Sequence, residues 1–334
     1  MHAVLAELRH KTGLQLSNIE YAEARSAKLL KSARRALKGL DLPRTSSVVT
    51  LGSLARGEAT EGSDLDWFVL HDGLASQEPS RVLPEITRRL DALGLPPPSP
   101  IGPFAQIANA SELVRHIGLQ EDTNKNVTQR VVLLLESRAI ANESAHRGVQ
   151  NCVLERYLED TILRPKGSGR FVPQFLLNDV VRYWRTICVD YQAKKRLNER
   201  KWALRNIKLR ISRKMLFASS LATLIECRCE DDVLAFLTSR MAEPPLVQLG
   251  MFLLAYDNME AATKIFQVYD EFLRLIGTEE MRRHLEELPF AEFDTDPRFS
   301  LLREMSHRLQ GGLELAFFDG PADVAAAIKR FGVF

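Results

Sequence analysis

Paired cysteines, long apolar runs and an excess of either charge are what this 334-residue chain lacks. No run approaches the ~18 consecutive apolar residues that span a bilayer. The opening MHAVLAELRHKTG has no apolar core with a cleavage site behind it, so a cytoplasmic location without a membrane partner is expected. The four cysteines, Cys152, Cys188, Cys227 and Cys229, contain no Cys-x-x-Cys pair of the kind that holds zinc. Cys227 and Cys229 could form a metal or redox pair, but buried or incidental thiols are the favoured reading. With 45 basic and 43 acidic residues the net charge is +2, so overall balance points to neither a nucleic-acid binder nor a membrane-surface protein. Any basic site must be local. Internal repeats and low-complexity tracts are also missing, which excludes solenoids and disordered tails.

What is present is the composition of a soluble globular protein, 45% apolar and 26% charged. The length suits two domains, because single cores stop growing at roughly 250 to 300 residues. SNIEYAEARSAKLLKSARRALKGL, from Ser17 to Leu40, has apolar positions at helical spacing and a stop at Gly39. SSVVTLGS (Ser46 to Ser53) and DLDWFVLH (Asp64 to His71) read as buried strands. PSRVLPEITRRLDALGL (Pro79 to Leu95) reads as a helix, and FAQIANA (Phe104 to Ala110) has strand character. Beyond Ser111 the periodicity is helical almost throughout, broken at RPKGSGRFVP, AEPP and AEFDTDPR. The expected architecture is α+β, with a mixed domain over residues 1–140 and an α-helical domain over 141–334.

The chemistry concentrates in LGSLARGEATEGSDLDWFVL, Leu51 to Leu70. Residues two apart on a strand share a face, so Asp64 and Asp66 would project together. Carboxylates this close repel unless a cation lies between them, and Mg²⁺ is commonly held by one or two carboxylates plus substrate phosphates. Gly52 lets the backbone approach a ligand closely, while Ser53 offers a hydroxyl at the start of a short helical turn, where amides attract phosphate. Arg56 could pair with phosphate or fix the loop, and Glu58 could orient it. These parts assemble metal-assisted phosphoryl or nucleotidyl transfer. A strand start after a turn accounts for Ser63-Asp64, but not for Gly52-Ser53, the Arg-Gly-Glu turn and Asp66 together.

GSLARGEATEGSDLDWFVL resembles the Gly-Ser through Asp-x-Asp signature of the polymerase-β-like nucleotidyltransferase superfamily. Within it, ELVRHIGLQEDTNKNVTQRVVLLLESRAI (Glu112 to Ile140) is similar to the segment after the catalytic sheet in PII-protein uridylyltransferases and in the related domain family 294. The resemblance implies a small mixed sheet flanked by helices and followed by a helical domain. It also implies Gly52 and Ser53 on the triphosphate of a nucleoside triphosphate, with Asp64 and Asp66 as catalytic ligands of Mg²⁺, or of Mn²⁺ in its place. The third carboxylate that many members carry on a later strand has no counterpart in FAQIANA; Glu112, Glu121, Asp122 and Glu136 are those that helices could bring up instead.

Outside the motif, Lys166 in the RPKGSGRFVP break could contact phosphate and Asp179 on the following apolar helix could face the cleft, a flexible linker and a core helix being the favoured reading. Lys201, Arg205, Lys208 and Ser212, separated by four, three and four residues, would line one helix face. They are candidate nucleotide-binding residues, or a contact to an RNA backbone; a solvated helix face is as good a reading. Trp67 is expected to pack, and His71 and His116 have no partner at metal or triad spacing.

Two functions remain. One is a Mg²⁺-dependent nucleotidyltransferase that moves a nucleoside monophosphate onto a protein, RNA or small-molecule acceptor and releases pyrophosphate. The other is a catalytically silent nucleotide sensor or interaction module on the same fold.

Overall fold

The computed structural model describes residues 1–73, 78–96, 106–159, 171–197 and 201–333. From the N-terminus the elements are α1 (Ala3–Thr12), α2 (Ser17–Ala36), β1 (Ser46–Leu51), α3 (Gly52–Ala55), β2 (Trp67–His71), α4 (Glu78–Asp91), β3 (Ile107–Asn109), α5 (Ala110–Arg115), α6 (Asn124–Leu135), β4 (Ser137–Ala141) and α7 (Glu143–Glu159). Then come α8 (Gln174–Leu197), α9 (Trp202–Lys208), a π-helical turn over Leu209–Arg213, α10 (Lys214–Glu226), α11 (Val233–Met241), α12 (Pro245–Ala255), α13 (Met259–Ile276), α14 (Glu279–Glu287), α15 (Pro297–Phe317) and α16 (Ala322–Ile328). None of the described helices is long and apolar enough to cross a membrane.

These elements form two compact units, a sheet unit of residues 23–166 with 234–244 and a helical unit of residues 1–22, 167–233 and 245–334. The α+β class is therefore as expected, but the units do not follow a single cut at residue 140. The sheet unit extends further because β4 pairs with β1 and α7 follows it directly. It also gains residues 234–244, where Thr238 hydrogen-bonds Asn151 of α7 at 3.4 Å.

In the sheet unit the strand order is β3-β2-β1-β4. β1 runs antiparallel to both neighbours, and β2 pairs with β3 in parallel. The β-branched, apolar SSVVTL of β1 is buried along its whole length, as a central strand covered on both sides must be. Val48 and Val69 of the sheet pack with Ala33 and Leu37 from α2 and its C-terminal extension, Ile86 and Leu90 of α4, and Leu54 and Leu65 of the motif. Trp67 packs against the same core, as expected of it. β4 was not expected: VVLLLESRAI continues an apolar run that periodicity alone cannot divide into helix and strand. The chain leaves helical geometry at Glu136 (φ −140°, ψ 39°) and crosses to pair Ser137 with Leu51.

The helical unit begins with α1, an unexpected element whose LRHKT end is closed by Gly13. It packs on α12 at Gly250, where a Cβ would lie 2.9 Å from Leu8 Cδ1 and 3.0 Å from Val4 Cγ1. The first turn of α2 is held by Asp270 of α13, whose Oδ1 accepts the N–H groups of Asn18 and Ile19, each at 2.9 Å. That supplies two of the donors a helix start leaves unsatisfied. The expected breaks at AEPP and AEFDTDPR fall between α11 and α12 and between α14 and α15, whereas most of the RPKGSGRFVP break, with Lys166, lies outside the described residues. All four cysteines are free thiols; Cys227 is buried, and Cys229 is exposed.

Candidate active site

The motif lies where β1 ends beside the start of β2. The antiparallel register sets Thr50 opposite Trp67, so the residues just after β1 and just before β2 meet. Leu51 N–H donates to the Asp66 carbonyl at 3.0 Å, and Thr50 Oγ1 donates to the same oxygen at 2.9 Å. Two bonds from β1 thus fix the backbone of Asp66. Gly52 has φ +70°, and a Cβ built on it would lie 3.7 Å from Asp66 Oδ2. The left-handed backbone favours glycine there, and its bare Cα faces one oxygen of the carboxylate.

β2 begins only at Trp67, so Asp64 and Asp66 stand in the approach to the strand and not within it. Their alternation persists nonetheless: Leu65 is buried in the core, and the carboxylates on either side of it are partly exposed. The preceding loop is tied at several points. Ser53 Oγ donates to Ser63 Oγ at 3.2 Å, and Ser63 Oγ accepts the Thr60 N–H at 2.9 Å. Arg25 Nε donates to the Thr60 carbonyl at 3.0 Å, and Ser26 Oγ accepts the Ala59 N–H at 2.9 Å. Two side chains of α2 and one of the Gly-Ser turn therefore hold the segment that delivers Asp64.

Arg56 is buried, and its guanidinium donates from Nε to Glu58 at 2.8 Å and from Nη1 to Glu136. Of its two expected roles, this geometry matches loop fixing: Glu58 orients it, and Glu136 ties the Gly-Ser turn to the start of β4. Asp122 likewise forms a two-pronged pair with the fully buried Arg130, both contacts at 2.7 Å, and Arg130 Nε donates to Tyr157 Oη at 3.0 Å. Two of the four carboxylates considered as a third site member are thus engaged by buried arginines, while Glu112 and Glu121 are exposed.

Arg25, Ser26 and Thr60 escaped the sequence reading, and Ser63 entered it only as a strand start after a turn, because their role is to accept or donate across contacts that spacing does not reveal. Ser63 alone carried a local signal, three residues from Thr60 in a turn.

The expected Lys201, Arg205, Lys208 and Ser212 face does not form as one helical stripe. Lys201 precedes α9 with φ 62°, and its Nζ pairs with Glu286 at 2.9 Å. The corner is fixed by Trp202, whose Nε1 donates to the Leu288 carbonyl at 2.7 Å and whose ring meets Phe290 and Phe299 edge-on at 5.1 and 4.9 Å. The π turn over Leu209–Arg213 then shifts the phase, and Ser212 is buried. Arg205 is half-buried and Lys208 exposed. Asp179 is buried on α8, His71 is buried with Nδ1 2.9 Å from Ser46 Oγ, and His116 is half-buried.

For a hard dication the donor set at the motif is suitable in kind: two carboxylates, partly exposed, one fixed through its backbone and facing a bare glycine. Among the described residues no group of three or more His, Cys, Asp or Glu side chains is placed to hold a metal. Comparison with curated proteins gave no match. Residues 30–138, which run from α2 through the Gly-Ser turn and both aspartates into β4, match the family model described as the nucleotidyltransferase domain.

Proposed function

We propose that the sheet unit is the catalytic part of a Mg²⁺-dependent nucleotidyltransferase that transfers a nucleoside monophosphate from a nucleoside triphosphate and releases pyrophosphate. The observation that carries this reading is the meeting of Gly52 and Asp66, at the end of β1 and the approach to β2, inside the matched domain. Asp64 and Asp66 would hold the metal, which would supply positive charge against the developing charge of the triphosphate. Gly52 leaves room for phosphate oxygens beside Asp66, and the Ser53 hydroxyl would turn from Ser63 to donate to them. Arg56 acts through position: buried between Glu58 and Glu136, it keeps the turn in place without reaching the nucleotide. Lys201, Arg205 and Lys208 belong to the helical unit and enter this reading only as candidates for acceptor or nucleotide contact. The acceptor is a protein, an RNA or a small molecule.

The test is transfer of label from each of the four α-³²P nucleoside triphosphates with Mg²⁺ or Mn²⁺ and a cell extract as acceptor pool. Label transferred by the wild type and not by the Asp64→Asn/Asp66→Asn double variant is the expected result. A second reading, a silent nucleotide sensor, is favoured by the engagement of Asp122 and Glu136 with arginines, which leaves neither free as a base. Saturable nucleotide binding without any transfer would establish it in place of the first.

A further inference from the structure

In the helical unit, two cations four residues apart, Arg210 and Lys214, stand around the π-helical turn and bond neutral amides. Arg210, inside the turn, donates from Nε to Asn206 Oδ1 at 2.8 Å. Lys214, the first residue of α10, donates from Nζ to Gln310 Oε1 of α15 at 2.8 Å. Both partners are neutral amides, and among the described residues neither cation has a carboxylate within salt-bridge distance.

The amides are themselves oriented. Asn206 Nδ2 donates to Tyr191 Oη of α8 at 3.0 Å, and Gln310 Nε2 donates to Glu314 at 2.9 Å. Each amide therefore presents its oxygen to a cation because its nitrogen is spent elsewhere. Burial, and then the charge of Arg210, lower the pKa of Lys214, while the charges of Cys188 and Glu314 oppose the shift. The charge of Arg210 thus reaches the lysine, and both side chains are half-buried.

Holding two cations together in a partly desolvated place is unfavourable unless an anion joins them. The donor inventory indicates which anion. The Arg210 fork keeps both Nη groups, since its one bond uses Nε, and Lys214 keeps two of its three N–H donors. A planar fork beside a rotatable ammonium matches the oxygens of a phosphoryl group. π turns inside helices are frequent at functional positions, and this one carries Arg210 itself.

We propose that Arg210 and Lys214 form a binding site for a phosphoryl group of a small molecule, oriented by Asn206 and Gln310. Two observations favour a small ligand over an RNA backbone. The stripe that would continue along a strand of phosphates is interrupted, with Lys201 paired to Glu286 and Ser212 buried. The inference rests on the helical unit alone and stands whether or not the sheet unit transfers nucleotides.

The test is competitive acetylation of the full chain with acetic anhydride, read lysine by lysine by mass spectrometry, without addition and with inorganic phosphate, pyrophosphate or a single-stranded RNA oligonucleotide. Phosphate or pyrophosphate is expected to slow labelling of Lys214 at least fivefold while leaving Lys329 unchanged. Calorimetric affinity for pyrophosphate should fall about tenfold or more in Lys214→Met and Arg210→Gln. Lys214 labelling that is indifferent to both anions at 10 mM would overturn the proposal. So would protection by RNA alone, which would assign the charges to a nucleic acid. The labelling uses the wild-type chain, so it decides the matter even if a variant fails to fold.

Discussion

The Gly-Ser and Asp-x-Asp segment and the Lys201–Lys214 segment were equally open to reasoning from spacing, yet the fold treats them differently. At the first, residues more than ten positions apart come together because antiparallel pairing of β1 and β2 converts sequence distance into adjacency. Hydrogen bonds donated by Leu51, Thr50, Ser53 and Arg25 and one accepted by Ser26 then fix the loop between them. At the second, helical spacing assumed one continuous helix, and a left-handed corner at Lys201 and a π turn broke it. Spacing along a strand pair survives small irregularities because the sheet register enforces it. Spacing along a helix is lost with one extra residue in a turn.

The sharpest way to break this comparison is at Asp66. Asp66→Asn keeps the shape and the backbone bonds from β1 but removes the charge, so the fold should persist while nucleotide transfer falls about a thousandfold or more. Unchanged melting temperature and circular dichroism, alongside lost transfer, are the expected pair of results. Activity within tenfold of wild type would remove Asp66 from the proposed metal site.

Next in size is Arg56. Its guanidinium is buried between Glu58 and Glu136, so Arg56→Met removes the cation from between two buried carboxylates and should destabilise the chain by about 3–5 kcal/mol. Urea unfolding followed by tryptophan fluorescence measures this directly. A loss under about 1 kcal/mol would mean that solvent reaches these carboxylates and that Arg56 is free to serve a ligand. Gly52→Ala should cost less, about 1–2 kcal/mol, from the left-handed backbone alone, because the added Cβ would meet Asp66 Oδ2 at an ordinary 3.7 Å. Its effect on transfer should exceed its effect on stability, since the methyl occupies the place proposed for phosphate.

Much of the sheet unit was legible in the sequence because its signals are local. β-branched SSVVTL, the Gly-Ser turn, the alternation around Leu65 and the α4 pattern each state their own geometry. β4 was not legible: LLLESRAI is apolar without a period, and only pairing with β1 makes its end a strand. The placement of residues 1–22 and 234–244 was equally hidden, since it depends on long-range contacts such as Asp270 with Asn18 and Asn151 with Thr238. At the site, the glycine and the aspartates could be named from the motif. What holds them could not, because Arg25, Ser26 and Glu136 reach it from other elements.

The smallest expected effect sharpens the contrast between the two arginines. Arg210 bonds a neutral amide and lies near a second cation, so Arg210→Gln should change stability by no more than about 0.5 kcal/mol at pH 7 in phosphate-free buffer. Its signature lies instead in the pH dependence. Lys214 has a folded-state pKa below its ordinary 10.5, through burial first and Arg210 second. Between that lowered value and 10.5 the unfolded chain binds more protons at this lysine, so folding stability from it rises with pH across that interval. Removing Arg210 lifts one of the two causes and raises the folded pKa part of the way back. The change in stability between pH 8 and pH 10.5 should therefore be less positive in the variant than in the wild type, as measured by urea midpoints at both ends. Equal slopes would show that the two charges do not act on each other, and the site proposed around them would lose its electrostatic basis while Arg56 kept its own.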